Sequence, residues 1–155
     1  MRYIIVILLS SLLVSCGISI ENVAVPSAVQ PYAAAFESVH GKVNTIQWKF
    51  DNLPSPIIGQ CTLPDGIIEL DVTYWASASD TQREETVTHE LGHCILYRAH
   101  LNTLDDNGNP VSLMNAYLLD ETVYSNNRAY YLTELFNVSG VPMLTGVAER
   151  IVYIN

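Results

Sequence analysis

Charge is scarce in this sequence, and basic charge scarcest of all. Only 15% of the residues are charged, and seven Lys and Arg stand against sixteen Asp and Glu, for a net charge of −9. A surface of that sign repels phosphate backbones and anionic membranes, so no nucleic-acid partner is expected. Solubility is the plain use of such charge, with a cationic substrate segment as the alternative. The long apolar run, residues 3–14, is too short to cross a bilayer, which takes about 20 residues. Repeats, low-complexity tracts and a linker to a second domain are all lacking. What is present is 155 residues, 49% of them hydrophobic. That excludes a disordered chain and fits one domain with one core. A monomer is expected.

The apolar run follows one positive charge and has the length of a secretory h-region. Its tail, Leu13-Val14-Ser15-Cys16, resembles the bacterial lipobox. That resemblance implies a signal peptide over 1–15, a lipidated Cys16 as the new N-terminus, a tether over 16–26 and a folded domain over 27–155. An ordinary secreted protein is the alternative. Gly17, in place of the aspartate linked to inner-membrane retention, leans towards the outer membrane. The expected location is therefore the bacterial cell envelope, with the domain outside the cytoplasm. Loss of Arg2 with the leader leaves six cations against sixteen anions, about −10. The two other cysteines, Cys61 and Cys94, form an even pair in an oxidising compartment, which suggests a disulfide; two buried thiols are the alternative.

Periodicity predicts an amphipathic helix over 28–40, opened by Ser27 with Gln30 as its capping-box partner and closed by Gly41. Alternation predicts strands over 43–50, 57–62 and 67–72. Ser79 with Gln82 opens a central helix over 80–97. A polar loop follows over 101–110, then a last helix over 126–136 capped by Ser125. Residues 149–154 read as a strand.

The central helix carries the chemistry. Three of the four histidines fall within His89-Glu90-Leu91-Gly92-His93-Cys94-Ile95-Leu96-Tyr97-Arg98-Ala99-His100. His89 and His93 are four apart, one above the other on one helical face, where two imidazoles can grip one metal ion. Glu90 sits beside the first ligand, where it can polarise a metal-bound water. Gly92 costs a helix about 1 kcal/mol, which suggests that something packs closely against that turn. His100 lies just past the expected helix end, where the chain can fold back to complete a three-histidine site. Cys94 points about 100° away from His93, which favours the disulfide over a thiolate ligand.

These residues, with Ser112-Leu113-Met114 shortly after them, resemble the active-site helix and Met-turn of metzincin metallopeptidases, whose pattern is HExxHxxGxxH. Ile67-Ile68-Glu69-Leu70-Asp71 followed by Tyr74-Trp75 looks like the matrixin strand that leads into that helix. Gly59-Gln60-Cys61, the stretch from Glu69 to Trp75, the histidine stretch, the stretch from Ser112 to Tyr117 and that from Ser125 to Phe136 together resemble small bacterial lipoproteins described as metzincin-like metallopeptidases. The resemblance covers residues 27–137. It implies an α+β zincin-like fold: a small mixed sheet, a backing helix, the active-site helix, a Met-turn and a C-terminal helix. It further implies one Zn²⁺ held by His89, His93 and His100, Glu90 as general base and Met114 as a structural methionine. The family's bend glycine falls on Leu96 and its third histidine on Ala99, so His100 comes one residue late; Asp105 and Asp106 are the alternatives. Tyr117 follows Met114 by three residues where some families use a tyrosine two residues on, which favours a buried structural role.

The expected function is zinc-dependent endopeptidase activity on a peptide or protein substrate by a lipid-anchored enzyme. The alternative is a non-catalytic zinc-binding surface lipoprotein. The strand at 57–62 is expected to form the cleft edge, to which an extended substrate can add. About ten residues separate Cys16 from the first helix, too few for an inhibitory propeptide. Constitutive activity, narrow specificity or control by a separate partner is expected instead.

Overall fold

Short alternating segments, each bounded by turn residues, build a four-stranded mixed sheet with the order β1-β3-β2-β4. In the computed structural model, residues 24–144 and the backbone of residues 150–152 are described. The signal peptide, Cys16 and most of the tether lie outside the described residues. Strand β1 (Gln47–Asp51) runs parallel to β3 (Ile67–Asp71), with Trp48 opposite Ile68. Strand β2 (Ile57–Thr62) is antiparallel to β3, with Cys61 opposite Ile68. The β2–β3 reversal uses Gly66 at φ +64°, a left-handed conformation that suits a residue without Cβ. β4 (Arg150–Val152) pairs antiparallel with the other side of β2.

Among the described residues, four helices accompany the sheet. α1 (Gln30–His40) buries Ala33 and Phe36. α2 (Val72–Ser77) follows β3 directly, because the Asp71 carboxylate accepts from the Tyr74 N–H (2.7 Å) and turns the strand into a helix. α3 (Asp80–Cys94) is the centre of the molecule: every residue from Glu85 to Cys94 is buried. Its Val87, Leu91 and Cys94 share one core with Ile68, Leu70 and Cys61 of the sheet, with Phe36 of α1, and with Tyr131 and Leu135 of α4 (Glu121–Leu135). A helix enclosed on all sides presents its polar residues to an interior, where each must find a partner. Among the described residues, no helix is long and apolar enough to cross a membrane.

Several expectations change. Ser27 does not cap α1. Val29 is the N-cap, and the Pro26 carbonyl accepts from the Val29 and Gln30 N–H groups instead, while Gln30 reaches Glu37. The strand expected over 43–50 begins only at Gln47, after a turn closed by Ile46 N–H to Val43 carbonyl (3.2 Å). The last helix starts at Glu121 rather than 126, capped by Asp120, whose carboxylate accepts from Thr122 and Val123. Asn127 leaves helical geometry inside it (φ −119°, ψ 18°), which divided the pattern in two. The capping box at Ser79 and Gln82 is formed as expected. Strand β2 is not the edge of the sheet, because β4 covers its outer side.

Candidate metal centre

Helical spacing brings His89 and His93 together, and a turn brings in His100. α3 ends at Cys94, three residues earlier than expected, and Tyr97 takes a left-handed backbone at φ +55°. The Arg98 N–H then bonds back to the Gly92 carbonyl (3.1 Å). The bend residue and the third histidine both fall one position later than the expected pattern, so the three-residue step from bend to histidine is kept. The turn is fixed on both sides of His100. Ala99 N–H donates to the Pro142 carbonyl (2.9 Å) and Leu101 N–H to the Met114 carbonyl (2.8 Å).

The Nε2 atoms of the three rings converge. They lie 2.9 Å apart for His89 and His93, 3.3 Å for His89 and His100, and 3.2 Å for His93 and His100. Nδ1 of His89 faces the Leu113 carbonyl oxygen (2.9 Å), and Nδ1 of His93 faces the Arg98 carbonyl oxygen (2.6 Å). A carbonyl only accepts, so each Nδ1 carries the proton and each Nε2 offers a lone pair. Lone pairs aimed at one point repel unless a cation lies between them. Nitrogens bound tetrahedrally to Zn²⁺ at about 2.0–2.1 Å would stand about 3.3 Å from one another, close to what is seen. The donor set therefore fits a metal ion, and these are the residues among those described that can form such a group.

Burial prepares the rings for that role. His89 and His93 are fully buried. Desolvation, reinforced by the neighbouring rings, holds His89 well below the usual imidazole range. Desolvation likewise takes His93 down to about 3, with the bond to Arg98 opposing and the His100 charge adding. Both are neutral at physiological pH, the form that binds metal. Glu90 is also fully buried, next to His89 on the same helix.

Beneath the rings lies a network that the sequence did not reveal. Arg98 is fully buried, and its guanidinium donates to the carbonyls of Glu134 (3.0 Å) and Leu135 (3.1 Å) at the C-terminal end of α4. It also pairs with the Glu134 carboxylate at 2.6 Å. The other Glu134 oxygen accepts from the Ser112 hydroxyl (2.9 Å) and the Leu113 N–H (3.3 Å). One ion pair thus fixes both carbonyls that orient the histidines, those of Arg98 and Leu113. Its only sequence signal is an arginine inside an apolar stretch. Glu85, one turn before His89, was also missed. Its Oε1 accepts from Leu119 N–H (2.6 Å), and burial, aided by the Glu121 charge, pushes its carboxyl up to about 8, so it is protonated at neutral pH.

Gly92 has a local reason. A Cβ there would lie 2.5 Å from the Met114 sulfur and 3.0 Å from a Leu135 methyl. Met114 is fully buried against this turn, on the helix that bears the histidines. Cys61 and Cys94 are joined in a disulfide, which ties β2 to the residue after His93. Asp105 is drawn away from the site, because its carboxylate accepts from Asn107 and Asn109 within its own loop. Tyr117 is not buried as expected but 46% exposed.

Residues 18–116, well over half of the chain, match the family described as "Putative phage metallopeptidase". The chain belongs to that family. No curated protein and no solved structure matches it. The matched stretch holds the three histidines, Glu90 and Met114, and the family's description points to a metallopeptidase, a hydrolase whose substrate is a peptide or protein.

Proposed function

We propose that this phage metallopeptidase family member is a zinc endopeptidase with His89, His93 and His100 as ligands and Glu90 as the catalytic base. The observation that carries the reading is the convergence of three Nε2 atoms within 3.3 Å of one another, two of them committed by their Nδ1 bonds to present lone pairs. Bound there, Zn²⁺ would supply Lewis acidity, polarising a peptide carbonyl and making water acidic enough to lose a proton near neutral pH.

The chain's own residues do the rest. The histidines stay neutral and would hold the ion through their Nε2 atoms. The Glu90 carboxylate takes the proton from the attacking water and passes it to the leaving amine nitrogen. Met114 forms an apolar floor under the helix, the part a Met-turn plays in metzincins, which supports a relationship to that group. The one-residue shift at Tyr97 and His100 is the departure from its pattern. We infer further that the enzyme is anchored in the cell envelope by lipid on Cys16 and works outside the cytoplasm. The Cys61–Cys94 disulfide supports an oxidising compartment.

The test is Glu90→Gln in the zinc-loaded full chain, assayed on a mixed peptide library. The variant should keep one equivalent of Zn²⁺ and lose about a hundredfold or more in hydrolysis. Retained activity removes Glu90 from its role. Zinc binding with no cleavage by either protein favours the non-catalytic alternative.

A further inference from the structure

The outer edge of β2 is already occupied. Its inner side pairs with β3, and its outer side carries β4, with Ile57 opposite Val152, Gly59 opposite Ile151 and Gln60 opposite Arg150. The residues shortly before β4 bond to the turn that precedes His100. Leu144 N–H donates to the Tyr97 carbonyl (2.6 Å), Met143 faces Arg98, and the Pro142 carbonyl accepts from Ala99. Residues 97–99 are the turn that delivers His100. One stretch of chain therefore engages both the strand that Cys61–Cys94 fastens to the metal-bearing helix and the turn that completes the metal centre. It lies beyond residue 116, where the family match ends.

An extended polypeptide binds a sheet edge through the same backbone hydrogen bonds that β4 makes, and one edge accepts one strand. We propose that β4 is an internal competitor for polypeptide substrate: it occupies the edge of β2 on which an extended substrate would pair, and must leave before that substrate can add. The proposal rests on the peptidase reading and names a control device for the same site. β4 suits displacement. It is three residues long, and its register with β2 is broken between Ile57 and Gly59, so few ladder bonds hold it.

The test compares the zinc-loaded full chain with Ile151→Pro and Val152→Pro. Two are used because alternate N–H groups of a strand face its partner. Each is assayed on a library of peptides of about ten residues and on blocked tripeptides too short to span the strand. The expected result is a rise of about fivefold or more in kcat/KM for the long peptides, carried by KM, with the tripeptides unchanged. Equal rates for wild type and folded proline variants overturn the proposal and leave the peptidase reading intact. A second measurement covers variants that fail to fold. In Glu90→Gln, saturated with the long peptide that wild type cleaves best, amide exchange should show residues 150–152 losing protection while residues 57–60 keep it. Protection retained at 150–152, with the peptide protecting other amides, overturns the proposal alone. No cleavage by any protein and no peptide-induced protection removes the peptidase reading and the proposal together.

Discussion

The stretch that carries the histidines has two halves, and each breaks the local rule that the other keeps. The helical half holds Gly92, the poorest helix former after proline, in the last turn of a buried helix. The bent half holds Tyr97 in a left-handed conformation that glycine would adopt without strain. In the first half packing decides, since the Met114 sulfur occupies the space of a Cβ at Gly92. In the second, hydrogen bonding decides: Arg98, Ala99 and Leu101 are all pinned just after the bend, and the backbone at Tyr97 follows. Local propensity is overridden at both places, and both overrides serve the same point, where the three rings meet.

The comparison can be broken hardest at the residue that joins the halves. Arg98→Ala leaves Glu134 without its buried partner and should cost about 3–5 kcal/mol in urea denaturation. It should also weaken metal binding, because the carbonyls that orient His89 and His93 lose their common anchor. Unchanged zinc affinity in a folded Arg98→Ala protein would mean that the network supports the fold and not the site.

Next in size is Gly92→Ala. Helix propensity alone favours it by about 1 kcal/mol, but overpacking against Met114 and Leu135 should reverse the sign, for a net loss of about 1–2 kcal/mol. Pairing it with Met114→Ala should recover part of the loss, a coupling that a double-mutant cycle reads directly. The smallest effect sharpens the other half. Tyr97→Gly relieves a left-handed backbone but frees the unfolded chain, so a gain of about 0.5 kcal/mol is expected, whereas β-branched Tyr97→Val should lose about 1 kcal/mol or more. Equal stability of the two variants would show that the bend is not strained.

The parts of this molecule that were legible in the sequence are those set by near neighbours. His89, Glu90 and His93 depend on four-residue helical spacing, the Ser79–Gln82 box on three-residue spacing, and β2 on turn residues at both ends. His100 was only partly legible, since its reach depends on where α3 stops, and that is fixed by the Arg98 and Ala99 bonds to Gly92 and Pro142. The start of α4 was lost because Asn127 interrupts the helical period six residues in. Arg98, Glu134 and Glu85 were not legible at all. Their roles come from burial and from partners 14 to 36 residues away, such as Ser112 and Glu134 for Arg98 and Leu119 for Glu85. The same holds for β2: its sequence reads as a strand, but whether it is an edge depends on a segment about 90 residues later.

The central claim is that three imidazoles converge on one metal ion. X-ray absorption at the zinc edge tests it most directly, on the full chain loaded with one equivalent of Zn²⁺ and on His100→Ala. The account predicts three imidazole nitrogens at about 2.0–2.1 Å in the wild type and two in the variant. A wild-type shell with only two imidazoles, unchanged by His100→Ala, would contradict it.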